Sequence, residues 1–488
     1  MAIAASRSLE SRIALPVAAV LLAILAYGVV SSPALIERWG ASPGGVGALA
    51  AWLALATVVV PVLRAPPSRR IVLVLLVLAV ALRFSFALLV VHRAPQGDAQ
   101  SYLTLAASLR HGQGLTIFEP FLGITTRALF PPLYPVLLAG WSIAFGFSTP
   151  SLLAFGTLTD LATAAMIAAL GSRVGRAGAG RGAAWLYLIW PSALFSAPLA
   201  QKESLCALLV VIIATAWVWS DLPGWKRVSV IGVAAGLLAL TQPGEAPLAG
   251  LFGLVLAGRL GLVRLLRTGV PAAAIACLVL LPWWVRNWLT FGAFVPLTTS
   301  SGVGLWIGNN PGATGNWMAP PASLRGLPEL EYSRQAGLIA REWITAHPVA
   351  FVRLTLAKLA RSCGVADFGL VRLAAMRPAV SAWIAALLLP LSQGAHLVML
   401  GGAAVAARLR ADRALETVLL LVAACGLQIA VFGVWFEFAE RHREFATPFL
   451  LLLLCLGLDR AQRGRSSPVA PRSSRASIDH RPLPTMNT

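Results

Sequence analysis

Long apolar runs alternate along the chain with short polar breaks, and the runs have the length of membrane-crossing helices. About 20 apolar residues, rising 1.5 Å each, cross the ~30 Å hydrocarbon layer. Runs of this kind lie at 13–30, 46–63, 71–91, 151–170, 183–199, 205–220, 269–284, 381–404, 415–435 and 445–458. Two shorter ones flank Thr241-Gln242-Pro243-Gly244-Glu245. The pattern predicts an all-α polytopic membrane protein with about twelve transmembrane helices. The first run follows Arg7 and Arg12 and is expected to remain as a helix rather than be cleaved as a signal peptide.

The polar breaks supply sidedness. Arginines gather at Arg64, Arg69 and Arg70, at Arg173, Arg176 and Arg181, at Arg259, Arg264 and Arg267, and at Arg408, Arg410 and Arg413. The positive-inside rule places these clusters in the cytoplasm and sends His92 and Arg93 outside. The apolar segment 133–147 is short for a span, and counting it as one would export Arg173, Arg176 and Arg181. It is therefore expected to lie on the outer membrane face as a juxtamembrane helix. Two long outer loops follow, 92–150 and 286–380, the second with an amphipathic helical stretch at 331–363. Residues 1–458 read as one transmembrane domain. Residues 459–488 read as a basic, Ser- and Pro-containing cytoplasmic tail, expected to be disordered.

Composition agrees with this solvent: 58% of the 488 residues are hydrophobic and 12% charged, against about 25% charged for a soluble domain. The net charge of +20 does not imply nucleic acid, because the basic residues sit between apolar runs and form no single basic face. Five cysteines without CxxC spacing give no disulfide framework, and no metal site is expected.

Chemistry-bearing residues collect at the outer ends of the runs. Asp98 and Tyr102 lead a helix toward Gly112 and Gly114. Arg127 precedes Pro131-Pro132-Leu133-Tyr134-Pro135 and Phe145-Gly146, and Glu203 opens a span. Pro282-Trp283, Arg286-Asn287 and Phe291-Gly292 close another span. Gly308-Asn309-Asn310-Pro311 with Gly315 lies in the second outer loop, and Arg441-His442-Arg443 stands before Pro448. In this order and on one side, the motifs resemble those of the GT-C glycosyltransferases, integral membrane enzymes that transfer a sugar from a polyprenyl-phosphate carrier. They are most similar to bacterial proteins of the protein O-mannosyltransferase and lipid A aminoarabinose transferase type, over roughly residues 97–449.

The resemblance implies a GT-C-like helical bundle with outer juxtamembrane helices. It places the protein in the bacterial inner (plasma) membrane, with the active site on the extracytoplasmic face. It implies a polyprenyl-phosphate-linked sugar donor, a lipid, glycan or protein acceptor, surrounding membrane lipids, and no cofactor. Hexosyl and pentosyl transfer both stay open. This chain departs from its relatives at Gln242-Pro243, where many have Arg-Pro, and at His442, where many have Tyr. Ala99 stands where a second carboxylate is frequent, which disfavours a metal-bridging pair.

Glycosyl transfer needs a base for the acceptor hydroxyl and positive charge for the leaving phosphate. Asp98 is the candidate base, its pKa expected to rise toward working pH by desolvation; otherwise it is only an N-cap. Glu203 is the second candidate catalytic residue, orienting the acceptor or holding the sugar, with a salt bridge to Lys202 or Arg127 as its alternative. Arg127, Arg286, Arg441 and Arg443 are candidate phosphate ligands; interfacial snorkelling or pairing with Glu437 and Glu440 are the alternatives. Tyr102, Tyr134, Asn309 and Asn310 are candidate substrate-binding residues. Asp160, within a span, is either paired with Arg83 or catalytic. A secondary transporter or lipid flippase is the competing function, favoured by the interrupted helices around Thr241 to Pro247.

Overall fold

The computed structural model describes residues 2–91, 95–376, 380–410 and 412–466. His92, Arg93 and the tail beyond Ser466 lie outside the described residues. Apart from one antiparallel hairpin, Ile117–Glu119 with Ile124–Thr126, the regular structure among the described residues is helical. Seven helices are long and apolar enough to cross a membrane: Ile13–Trp39, Pro43–Arg64, Arg69–Leu88, Thr149–Arg173, Leu262–Phe291, Ser381–Arg408 and Arg413–Gly433. Two shorter apolar helices, Leu133–Phe145 and Glu203–Val218, accompany them. The protein is thus an all-α multi-pass membrane protein. The final helix, Thr447–Ser466, continues into the stretch expected to be tail.

Large apolar side chains face outward where lipid would lie: Leu73, Val74, Leu278 and Leu289 are all more than half exposed. Small residues let the buried sides come together. Gly171 and Gly180 bring the helices Thr149–Arg173 and Ala177–Leu188 into backbone contact, where any Cβ would overlap the facing chain. Trp52 and Trp190 meet edge to face at 6.0 Å in the adjoining core. Asp160 is paired with Arg83 at 3.3 Å, and both are fully buried. Arg83 also donates to the Leu188 carbonyl, and Tyr187 Oη lies 3.4 Å from Asp160. This satisfies both charges inside the bundle and answers the question the sequence left open at Asp160.

Three elements outside the long helices position the functional groups. The helix Asp98–Arg110 and the hairpin form the segment expected as the first outer loop, and Leu133–Phe145 exposes Val136, Leu137 and Ile143 along one face. The second loop supplies the helices Ser300–Gly308, Glu329–Ala346 and Pro348–Gly364. Two helices give way to irregular turns: Gly224–Ala239 is followed by a 3₁₀ turn at Pro243–Glu245, and Arg413–Gln428 runs into the π-helical turn Ile429–Gly433. Gln428 Nε2 donates to the Gly244 carbonyl at 2.5 Å, so the two breaks touch.

Candidate active site

A cavity of about 740 Å³ opens where these elements meet. Its wall takes Asp98 and Tyr102 from the first outer helix, Glu119 from the hairpin, and Lys202 from the mouth of the Glu203–Val218 helix. Gln242 and Glu245 come from one helix break, Gln428 and Phe432 from the other, and Glu437, Arg441 and His442 from the segment that follows.

Asp98 sits in the first turn of its helix behind Gly97, whose φ is +66°. That φ suits glycine, and a Cβ there would also displace the Arg372 guanidinium, whose Nη1 would lie 2.8 Å away. Arg441 Nη1 donates to Asp98 Oδ2 at 2.6 Å. Arg441 also faces Glu437 at 3.9 Å and Glu203 at 4.0 Å. Burial would lower the Arg441 pKa, but Asp98, Glu437 and Glu203 together raise it above its ordinary value.

The Asp98 pKa corrects the expectation. Burial pushes the carboxyl up, yet Arg441, Lys202 and Arg372 outweigh it and hold the group at about 2. Asp98 is therefore ionised and paired. Its neighbours behave oppositely. Burial, reinforced by the Asp98 charge and opposed by a hydrogen bond from Ser101, raises Glu119 to about 7. Burial raises Glu245 to about 8 against the pull of Lys202. Burial also raises Glu437. His442 is held neutral by burial and by the Arg441 charge, and its Nδ1 accepts from the Ala439 N–H at 3.1 Å.

Tyr102 is buried, with its hydroxyl free of hydrogen bonds and the Lys202 ammonium 5.6 Å from its ring centre. Tyr134 packs behind it, edge to face at 5.3 Å, and does not line the cavity. Glu203 is buried behind Lys202, and neither of its carboxylate oxygens has a hydrogen-bond partner.

Several expected ligands lie elsewhere. Arg127 is exposed and outside the cavity wall; its backbone N–H donates to Glu329 Oε2 at 2.7 Å. Arg286 is also outside the wall, bonded to Asn287 Oδ1 at 2.9 Å and stacked over Trp283 at 4.8 Å. Arg443 is buried and committed to the carbonyls of Ser362 and Val365, to His396 Nδ1 and to Glu440. Asn309 and Asn310 are turned into their own loop. Asn309 donates to the carbonyls of Leu305 and Trp435, and Asn310 to that of Trp306. These two asparagines hold the backbone in shape, because the buried loop carbonyls need donors, and they do not line the cavity.

Lys202, Glu119, Glu245 and Arg372 complete the charged set. Spacing gave little sign of them: Lys202 read as a partner for Glu203, and Arg372 lies far along the second loop. Glu245 had one legible signal, a carboxylate in a helix break, which is costly unless it faces a polar cavity. Among the described residues no group of three or more His, Cys, Asp or Glu side chains converges as metal ligands would.

No protein-family model matches the sequence, and no curated protein does. Among solved structures the chain is similar to the archaeal oligosaccharyltransferase AglB from Archaeoglobus fulgidus, in complex with an inhibitory peptide and a dolichol-phosphate. That match has a TM-score of 0.49 and 16% identity over 80% of this chain and 51% of that one. The chain thus spans about half the length of that protein. It is also similar to ArnT from Cupriavidus metallidurans bound to undecaprenyl phosphate, with a TM-score of 0.37 and 15% identity over 82% of this chain and 79% of that one.

Proposed function

We propose that this protein is an integral membrane glycosyltransferase that moves a sugar from a polyprenyl-phosphate donor to an acceptor hydroxyl, on the extracytoplasmic face of a bacterial inner membrane. The observation that supports it is the 2.6 Å pair of Asp98 Oδ2 with Arg441 Nη1, beside Lys202 in one cavity. A carboxylate and two cations within one wall are what acceptor deprotonation and phosphate departure require.

In the proposed reaction the donor phosphate lies against Arg441 and Lys202. The bond from the sugar's anomeric carbon to the phosphate oxygen breaks and its electron pair stays on the phosphate. The acceptor oxygen bonds to that carbon, and its proton passes to Asp98. Phosphate binding makes Asp98 a better base: the phosphate shares Arg441, which relaxes the pull that holds the Asp98 pKa near 2. Glu203, 4.0 Å from Arg441 Nε, keeps the guanidinium turned toward the cavity. Residues 1–458 form the catalytic unit.

Transfer from a polyprenyl-phosphate sugar by the detergent-purified protein tests this. The Asp98→Asn variant is expected to lose at least a hundredfold in rate. Equal rates in variant and parent would refute the assignment of Asp98. Vesicle transport of the lipid with no donor cleaved by the parent would favour the transporter or flippase reading instead.

A further inference from the structure

A second cavity, of about 520 Å³, lies at the opposite end of the helices Gly224–Ala239 and Leu262–Phe291 from the candidate active site. These helices run parallel: Gly232 packs on Ala272 and Ile275, and Gly236 on Ala276 and Val279. Beyond their C-terminal halves lie Gln242 and Glu245 of the first cavity. Their N-terminal turns line the second one. At 1.5 Å per residue, Arg227 and Gln242 are roughly 20 Å apart along the axis.

Arg227, Arg264 and Arg267 line this second cavity, and no carboxylate does. The acid nearest in sequence, Asp221, accepts from Ser220 Oγ at 2.8 Å and is not part of the wall. Arg227 is buried, and its guanidinium is bonded only to neutral carbonyls, those of Ala216, Trp219, Ser220 and Leu222. Among the described residues its charge therefore has no counter-ion. Arg264 makes one bond, to the Ser220 carbonyl. Thr268 is 5% exposed and lines the same cavity, yet among the described residues its hydroxyl has no hydrogen-bond partner. Both helices begin here without a side-chain cap and without an acidic residue in the first turn, so their positive ends add to the field.

An apolar path leaves this cationic bowl. Leu262, Leu266 and Val270 recur every fourth residue and are 67%, 52% and 64% exposed, forming a stripe along the long helix from the cavity. A free anion has no use for such a stripe; an acyl chain does. We propose that this cavity binds the phosphate-bearing headgroup of an anionic membrane lipid, with Arg264, Arg267 and the Thr268 hydroxyl on the phosphate and the acyl chain on the apolar stripe. The site is independent of the proposed transferase reaction.

The test is thermal unfolding of the full chain in neutral detergent micelles with added phosphatidylglycerol, phosphatidylcholine or inorganic phosphate, with native mass spectrometry of retained lipid. Phosphatidylglycerol is expected to raise the melting temperature and be retained, and neither other additive to do so. The double variant R264Q/R267Q should bind phosphatidylglycerol at least tenfold more weakly, and T268V, nearly isosteric, several-fold more weakly. Arg264 and Arg267 are exposed and valine matches threonine in volume, so both variants should match the parent's melting temperature in phosphatidylcholine. K226Q removes a neighbouring cation outside the wall and should bind like the parent. Parent-like lipid retention by both R264Q/R267Q and T268V would overturn the proposal, as would equal protection by inorganic phosphate, which would mark a free-ion site.

Discussion

Glu119→Gln should make the protein more stable at neutral and alkaline pH, because it removes a buried group that burial makes costly to ionise. Glu119 is 3% exposed, and burial moves its carboxyl from an ordinary value of 4.5 to about 7. At 1.36 kcal/mol per pH unit that is a cost of about 3 kcal/mol once the side chain is ionised. The sign follows from proton binding. Between pH 4.5 and about 7 the folded protein holds a proton that the unfolded chain releases, so stability falls as pH rises through this window and levels off above it. Glutamine has no proton to lose, and its amide oxygen can still accept from Ser101 Oγ, now 3.2 Å from Glu119. Glu245, raised to about 8, adds a similar fall to parent and variant alike. The informative quantity is therefore the difference between the two proteins. Unfolding in detergent at pH 5, 6, 7 and 8 should show near equality at pH 5 and an advantage for E119Q approaching 3 kcal/mol at pH 8. A gap that does not change with pH, or a less stable variant at pH 8, would refute the assignment of Glu119 as a carboxyl whose pKa burial raises.

Asp98→Asn should act in the opposite sense at low pH. The parent's pairing stability is present above about 3.8 and lost as pH falls through about 2, roughly 2 kcal/mol that the variant's acid unfolding profile should lack. Arg441→Gln leaves Asp98, Glu203 and Glu437 facing one another without their shared cation. It should cost about 3–5 kcal/mol, with partial recovery when Asp98→Asn is added, measured by melting temperature. Lys358→Met strips donors from Gly308 O, Asn309 Oδ1 and Phe436 O, which a fully buried ammonium now serves at 3.2–3.4 Å. It should cost about 3 kcal/mol and speed proteolysis within 309–328, with no such speeding if Lys358 is dispensable.

The long helices were legible because a bilayer imposes one solution on an apolar run: every backbone group must be bonded within its own segment. That the segments expected to be juxtamembrane are helical was legible from their apolar or amphipathic pattern, and Leu133–Phe145 and Glu329–Ala346 are helices. Asp98, Tyr102 and Arg441 could be named from order and sidedness, and all three line one cavity. Pairings between distant segments were not legible. Asp98 and Arg441 are 343 positions apart, and nothing in either neighbourhood says that the guanidinium will depress the carboxyl's pKa instead of burial raising it. Arg127, Arg286 and Arg443 illustrate the same limit from the other side. An arginine at a helix end reads identically whether it turns to a cavity, stacks on Trp283 as Arg286 does, or binds carbonyls as Arg443 does.

The interrupted helices deserve a different reading from the one their sequence suggests. Irregular backbone at membrane depth is stable only where protein or a wet cavity satisfies it, and in transporters such breaks hold the transported substrate. Here the breaks at Pro243–Glu245 and Ile429–Gly433 meet through the bond from Gln428 to the Gly244 carbonyl, and both line the cavity that contains Asp98. They leave Gln242, Glu245 and Gln428 as polar wall residues opposite the pair of Asp98 with Arg441. Glu245 Oε2 is buried and has no hydrogen-bond partner among the described residues, so a ligand hydroxyl reaching that wall finds an acceptor there. In the proposed reaction that ligand is the sugar or its acceptor, and the breaks serve to aim side chains at it. Glu245→Leu, which removes the acceptor, should then raise KM for the sugar donor or the acceptor while leaving the rate at saturation within a few-fold of the parent. A fall in the saturated rate alone, with KM unchanged, would place Glu245 in the chemistry and not in binding.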